Sequence, residues 1–262
     1  MILDKLAAAS KARVEREMQL ISLEEMRDRA LAMDANTGFP FKKALKKEGM
    51  SFICEVKKAS PSKGLIAADF PYLEIAKAYE AAGAAAISCL TEPEYFLGSD
   101  QYLQEITKEV SIPVLRKDFT VDEYMIYQAK VLGASAVLLI CAILSDEQLS
   151  SYLALAHSLG LSALVEAHDE EEVRRAMKAG AGIIGVNNRD LRNFVVDIHN
   201  SERLRQIVPK EIVFVSESGI RNAEDVGRLY KNGTNAVLIG ETLMRSPDKG
   251  AMLEELRSLC HD

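Results

Sequence analysis

Residues 162–187 read SALVEAHDEEEVRRAMKAGAGIIGVN, and their order decides the architecture. A short apolar run ends in Glu166, a helix-like segment follows, and a second apolar run ends in Asn187. In the middle segment acids come first (Asp169 to Glu172), bases later (Arg174, Arg175, Lys178), and Gly180 last. That order suits the helix macrodipole and its glycine stop. Two unbroken apolar runs joined by one helix read as parallel strands of a buried sheet linked by a right-handed crossover.

The unit repeats. Working outward, SFICEV (51–56), AAAISCL (84–90), IPVLR (112–116), SAVLLI (135–140), EIVFVS (211–216) and NAVLIG (235–240) join the two runs above, making eight. Between them, SDEQLSSYLALAHSLG (145–160) opens on Ser145 as a helix N-cap and stops at Gly160, and RNAEDVGRLYKNG (221–233) runs from Asn222 to Gly233. Eight strand–helix units predict a closed α/β structure, a (β/α)8 TIM barrel, over 49–262. An open doubly wound sheet is the competing reading, but no GxGxxG follows a strand. Residues 1–48 stand apart: two amphipathic helix candidates, 2–20 and 22–34, precede a Gly-Phe-Pro break. They are expected to form an N-terminal helical extension packed against the barrel.

Composition narrows the function. The 262 residues are 48% hydrophobic and 27% charged, ordinary for a globular protein. No apolar run approaches the length of a membrane span, and the N-terminus lacks the apolar stretch of a secretory signal. A net charge of −7 argues against general nucleic-acid binding, yet a few lysines in a cleft still attract a small anion. Cys54, Cys89, Cys141 and Cys260 are scattered without a CxxC, which points to a reducing cytoplasm and to no zinc site. The spacing of the four histidines suggests no metal site, and no catalytic role is assigned to any of them, His168 included.

In such a barrel the active site lies at the C-terminal strand ends. The first run ends in Glu55 and Lys57, the third in Lys117, the fifth in Glu166, the sixth in Asn187 with Arg189 just beyond, and the seventh leads into Glu217 and Ser218. Charges at the end of a buried strand are costly unless they are paired or used. Each has a structural alternative: an ion pair for Glu55 and Lys57, a solvated loop for Lys117 beside Arg116 and Asp118, solvation for Glu166, turn or helix caps for the others. Their convergence on one mouth is what favours a site. Gly219 and Gly240, after the last two strands, sit where this fold commonly binds phosphate. For Lys117, neighbouring cations and glutamates pull the pKa in opposite directions, so its net shift stays open.

These residues resemble the indole-3-glycerol phosphate synthase family. The resemblance is carried by FICEVKKASPSKGLI, TEPEYFLGS, LRKDF, LVEAHDEEE, IGVNNRDL, VSESGI and LIGETLMR, in order from about residue 40 onward. It implies ring closure of 1-(2-carboxyphenylamino)-1-deoxyribulose 5-phosphate to indole-3-glycerol phosphate, with loss of CO2 and water and without metal or organic cofactor. On that resemblance Lys117 is the general acid and Glu166 the partner acid/base. Lys57 holds the substrate carboxylate or protonates the leaving hydroxyl. Glu55 and Glu217 orient the lysines and bind hydroxyls, while Asn187, Arg189 and Ser218 complete the polar shell. Ser60, Gly219, Gly240 and Glu241 fix the phosphate end. Phe96, Phe119 and Leu138 form the aromatic slot. A monomer or a dimer acting on a small phosphorylated molecule is expected. The alternatives are a Schiff-base aldolase with Lys117 as nucleophile, or a barrel that binds phosphorylated ligands without turnover.

Overall fold

All eight apolar runs become strands in the computed structural model of the protein, which describes residues 2–190 and 194–260. They are β1 (Ser51–Val56), β2 (Ala86–Leu90), β3 (Val114–Lys117), β4 (Ala136–Ile140), β5 (Ser162–Ala167), β6 (Ile183–Asn187), β7 (Val213–Glu217) and β8 (Ala236–Ile239). Each pairs in parallel with its neighbour in sequence, and β1 closes the ring on β8 through Ser51 opposite Ala236. The result is a (β/α)8 TIM barrel. A short hairpin, Ala59–Ser60 against Gly64–Leu65, follows β1 and stands at its mouth.

Side-chain alternation sorts the interior into layers drawn from alternate strands. Ile53, Leu115, Leu164 and Val215, from β1, β3, β5 and β7, belong to one buried cluster; Ala86, Ala136, Ile183 and Ala236 from the even strands extend it toward the floor. Outward-facing residues such as Phe52, Val137, Val165 and Phe214 join a second cluster under the helices. The barrel is therefore a filled core rather than a pore, open to a ligand only at its ends.

The helices follow from their end signals. α7 (Asp146–Ser158) opens with a full capping box between Ser145 and Gln148. α8 (Glu170–Lys178) is capped by Asp169, and α10 (Ala223–Lys231) by Asn222. Gly160, Gly180 and Gly233, the stops read from the sequence, all have positive φ, a conformation that costs glycine nothing. His199 opens α9 (His199–Arg205). His261 lies outside the described residues.

The extension is richer than the sequence suggested. α1 (Ile2–Met18) and α2 (Leu23–Leu31) end sooner than expected, and a third helix, α3 (Pro40–Leu45), follows the Gly-Phe-Pro break with Pro40 at its start. Proline suits a helix's first turn, where its missing N–H is no loss, so the break in one element begins the next. Phe41 and Leu45 of α3 are fully buried in the interior cluster at the floor, where Ser51 donates to the carbonyl of Ala44. Leu3 and Leu6 of α1 join the same cluster with Phe119, at the opposite end.

Candidate active site

One further step of the alternation above the Ile53 layer brings Glu55, Lys117, Glu166 and Glu217 inward from the same four odd strands. Lys117 Nζ sits among three carboxylates: 3.5 Å from Glu217, 3.8 Å from Glu166 and 3.9 Å from Glu55. Lys57, just beyond β1, pairs with Glu55 at 2.5 Å. The glutamates are almost completely buried, so the layer is a dense charge cluster in a poorly solvated place.

Two glycines make the cluster sterically feasible. A methyl at Gly185 on β6 would collide with the Glu217 carboxylate, and one at Gly240 would collide with Glu55 and crowd Lys57. Gly240, read from the sequence as an opening for phosphate, thus also clears space for the Glu55–Lys57 pair. Gly219 has positive φ, and a side chain there would strike Val196. Ser218 before it also has positive φ (69°), strain of the kind stored at binding sites. Asn188 donates to the Ser218 carbonyl at 3.0 Å, and Thr242 to the Ile220 carbonyl at 2.7 Å, which fixes this turn.

The protonation states follow from burial and neighbours. Burial alone would lower Lys117, but the carboxylates of Glu217, Glu166 and Glu55 outweigh it and hold the ammonium above its ordinary value. The balance left open by the sequence is thereby decided. Burial pushes up Glu55, yet Lys57 and then Lys117 bring it below the ordinary carboxylate range. Burial also opposes ionisation of Glu166, and His168, Lys117 and Asn187 overcome it. Glu217 goes the other way: burial, with Glu166 and Glu55 nearby, raises it despite Lys117. One of its oxygens is buried without a hydrogen-bond partner. Glu217 is the carboxyl that carries a proton most readily.

All the site residues read from the sequence line one cavity of about 650 Å³, within the usual range for small-molecule sites. Asn187 donates to Glu166 at 3.2 Å, and its own side-chain oxygen accepts the Arg189 N–H at 3.0 Å. Phe96 and Phe119 face each other with centroids 5.9 Å apart, next to Leu138. At the other end lie Ser60, Gly219, Gly240 and Glu241, whose carboxylate is engaged by Lys63 at 3.4 Å and Arg245 at 3.2 Å. Among the described residues no group of three or more His, Cys, Asp or Glu is placed to hold a metal ion.

Sequence reasoning missed several groups. Lys63, Arg221 and Arg245 add positive charge at the glycine end of the cavity. Ile2 and Leu6 reach its wall from α1, which nothing in their local sequence announces. Arg116 and Asp118, the two neighbours of Lys117, are themselves buried; Asp118 reaches the cavity wall and Arg116 does not line it. Asp118 accepts both 2.8 Å contacts of Arg13 from α1 and a bond from Thr91, while Arg116 pairs with Asp100 at 2.8 Å. Arg13 thereby ties the extension to the residue after Lys117. Arg13→Ala, which strands a buried carboxylate, is expected to cost about 3 kcal/mol, read as a lower midpoint in denaturant unfolding. An unchanged midpoint would mean that Arg116 alone satisfies Asp118.

Solved structures share this fold at low identity. Thiamine phosphate pyrophosphorylase from Pyrococcus furiosus superposes with a TM-score of 0.60 at 17% identity, covering 83% of this chain and 96% of that one. The 3-hexulose-6-phosphate synthase of Salmonella typhimurium gives 0.65 at 12% identity, covering 80% and 98%. At such identities only the fold is shared. Sequence comparison reaches further: the family model for indole-3-glycerol phosphate synthase matches residues 3–256. The proteins of that name from Ruminiclostridium cellulolyticum and Endomicrobium trichonymphae are 60% and 57% identical, each over 257 residues, which is 98% of this chain and 99% and 100% of theirs. Identity at that level across the whole of both chains leaves one assignment: the chain belongs to the indole-3-glycerol phosphate synthase family.

Proposed function

We propose that Lys117 is the general acid of the family's ring closure, Glu166 its base, and Lys57 the group that protonates the departing hydroxyl. In the reaction, the ring carbon bearing the carboxylate attacks the ketone carbon of 1-(2-carboxyphenylamino)-1-deoxyribulose 5-phosphate. A carbon–carbon bond forms, and the ketone oxygen takes a proton from Lys117 Nζ. Breaking the bond to the carboxylate releases CO2 and restores the aromatic ring. The new hydroxyl then leaves as water with a proton from Lys57, and Glu166 accepts the proton lost from the neighbouring ring carbon. Two protons given and one received match the one proton that decarboxylation consumes.

The observation that carries this reading is the ring of three carboxylates within 3.5–3.9 Å of Lys117 Nζ. It keeps the lysine an ammonium, able to donate a proton and unsuited to attack a carbonyl. Phe96, Phe119 and Leu138 offer the apolar slot for the aromatic ring, and the Gly219 turn with Lys63, Arg221 and Arg245 takes the phosphate. Holding both ends of the substrate presses the ring carbon toward the ketone. The free cysteines, three of them buried, support a reducing, cytoplasmic setting.

Incubation with the substrate should produce indole fluorescence, and borohydride added during turnover should trap no adduct on Lys117 by mass spectrometry. A reduced adduct at that residue would restore the Schiff-base reading and remove Lys117 as acid.

A further inference from the structure

His168 lies just past β5, two residues beyond Glu166, and does not line the cavity. Its Nε2 is buried, 3.4 Å from Glu166 Oε1, without the alignment of a hydrogen bond and with no other partner. The opposite edge of the ring is held: Nδ1 is 3.0 Å from Glu172 Oε2, which also accepts the His168 backbone N–H at 2.8 Å. Asn200 of α9 donates to the His168 carbonyl at 2.9 Å. A ring clamped on one side and aimed at a buried carboxylate on the other is a built arrangement.

We infer that His168 is a positioning residue, a fixed imidazolium that holds Glu166 ionised and oriented whatever the protonation state of Lys117. The inference rests on the assignment of Glu166 as base. Glu166 has two cationic neighbours, Lys117 at Oε2 and His168 at Oε1. Once Lys117 gives up its proton, that countercharge vanishes at the moment when Glu166 must stay a carboxylate. His168 is out of the substrate's reach, so its charge persists. The groups around the pair all bear on the balance: Glu172 and Arg175 on α8, Asn187 on β6, Lys117 on β3, Glu217 on β7, and Cys141 after β4, whose thiol meets the Glu172 carbonyl at 3.6 Å. Burial would lower the imidazole, but Glu166 and Glu172 raise it to about 10. A loose contact at rest that tightens in the substrate complex is ordinary for such a group.

The experiment compares the pH profiles of kcat/KM for wild type, His168→Asn and Glu172→Gln, with histidine nitrogen NMR of the wild type. The acidic limb, where Glu166 takes up a proton, should move up by about one unit or more in His168→Asn, and by less in Glu172→Gln. Turnover should recover toward wild type well above the limb. The His168 ring should titrate above pH 8. A uniform loss at every pH, or an unmoved limb in both variants, would overturn the inference, as would a ring already neutral at pH 8. Should His168→Asn fail to fold, Glu172→Gln and the NMR titration decide. Glu166→Gln separates the two readings. If it keeps full turnover, the base assignment fails by itself, and the NMR titration alone then decides whether His168 is the cation.

Discussion

Lys117→Met should lower kcat by about 10³-fold, within the range for loss of a positioned general acid, while KM changes far less. The contrast arises because Lys117 is surrounded by protein carboxylates rather than standing at either anchored end of the cavity. The variant is also expected to fold. Glu55 keeps Lys57 at 2.5 Å, Glu166 keeps His168 and Asn187, and Glu217 takes up a proton. Steady-state kinetics by indole fluorescence, with a thermal melt as control, read both effects. Turnover within tenfold of wild type would pass the acid role to Lys57.

The second large effect is a difference between two matched substitutions. Glu166→Gln removes an ionised base and should cost roughly 10²–10⁴-fold in kcat. Glu217→Gln replaces a carboxyl that is readily protonated with a neutral group of the same shape, and should cost less than about tenfold near pH 7. The direction with pH follows from the raised Glu217. As pH climbs, Glu217 ionises, tightens its hold on the Lys117 ammonium and adds a negative charge beside an anionic substrate. Wild-type kcat/KM should therefore decline on the alkaline side, and the Glu217→Gln profile should hold up to higher pH. Equal losses in the two variants would show that Glu217 works as an ion. The same comparison is available at the level of binding, since a product-like phosphate ligand should bind Glu217→Gln at least as tightly as wild type at pH 9.

Much of the site was legible because barrel geometry makes it so. A strand's period of two and the closure of eight strands send the last inward residue of each strand to one mouth. Glu55, Lys117, Glu166 and Glu217 were thus recognisable from position alone, as were the glycines after β7 and β8. The helices were readable where a local contact ends them, as with Ser145 and Gln148, or Asn222 and Asp225. α3 was not, since the Gly-Phe-Pro signal that breaks a chain also starts a helix, and only burial of Phe41 and Leu45 against the floor tells which. His168 was passed over for a related reason. Its spacing from Glu166 puts it off the strand, and its contact with Glu172, four residues on, belongs to the first turn of α8 rather than to the strand-end pattern.

By itself, then, the sequence determined the barrel, the end of it that does chemistry, the residues gathered there and the family. These depend on periodicity and short-range signals, which a linear chain carries openly. Only the tertiary structure decided which carboxyl keeps a proton, why Gly185 and Gly240 have no side chain, and how α1 brings Ile2 and Leu6 to the cavity wall and Arg13 to Asp118. Protonation depends on distances among charges from strands far apart in sequence, summed in a buried medium where each ångström changes the energy. Such sums exist only once the ring has closed.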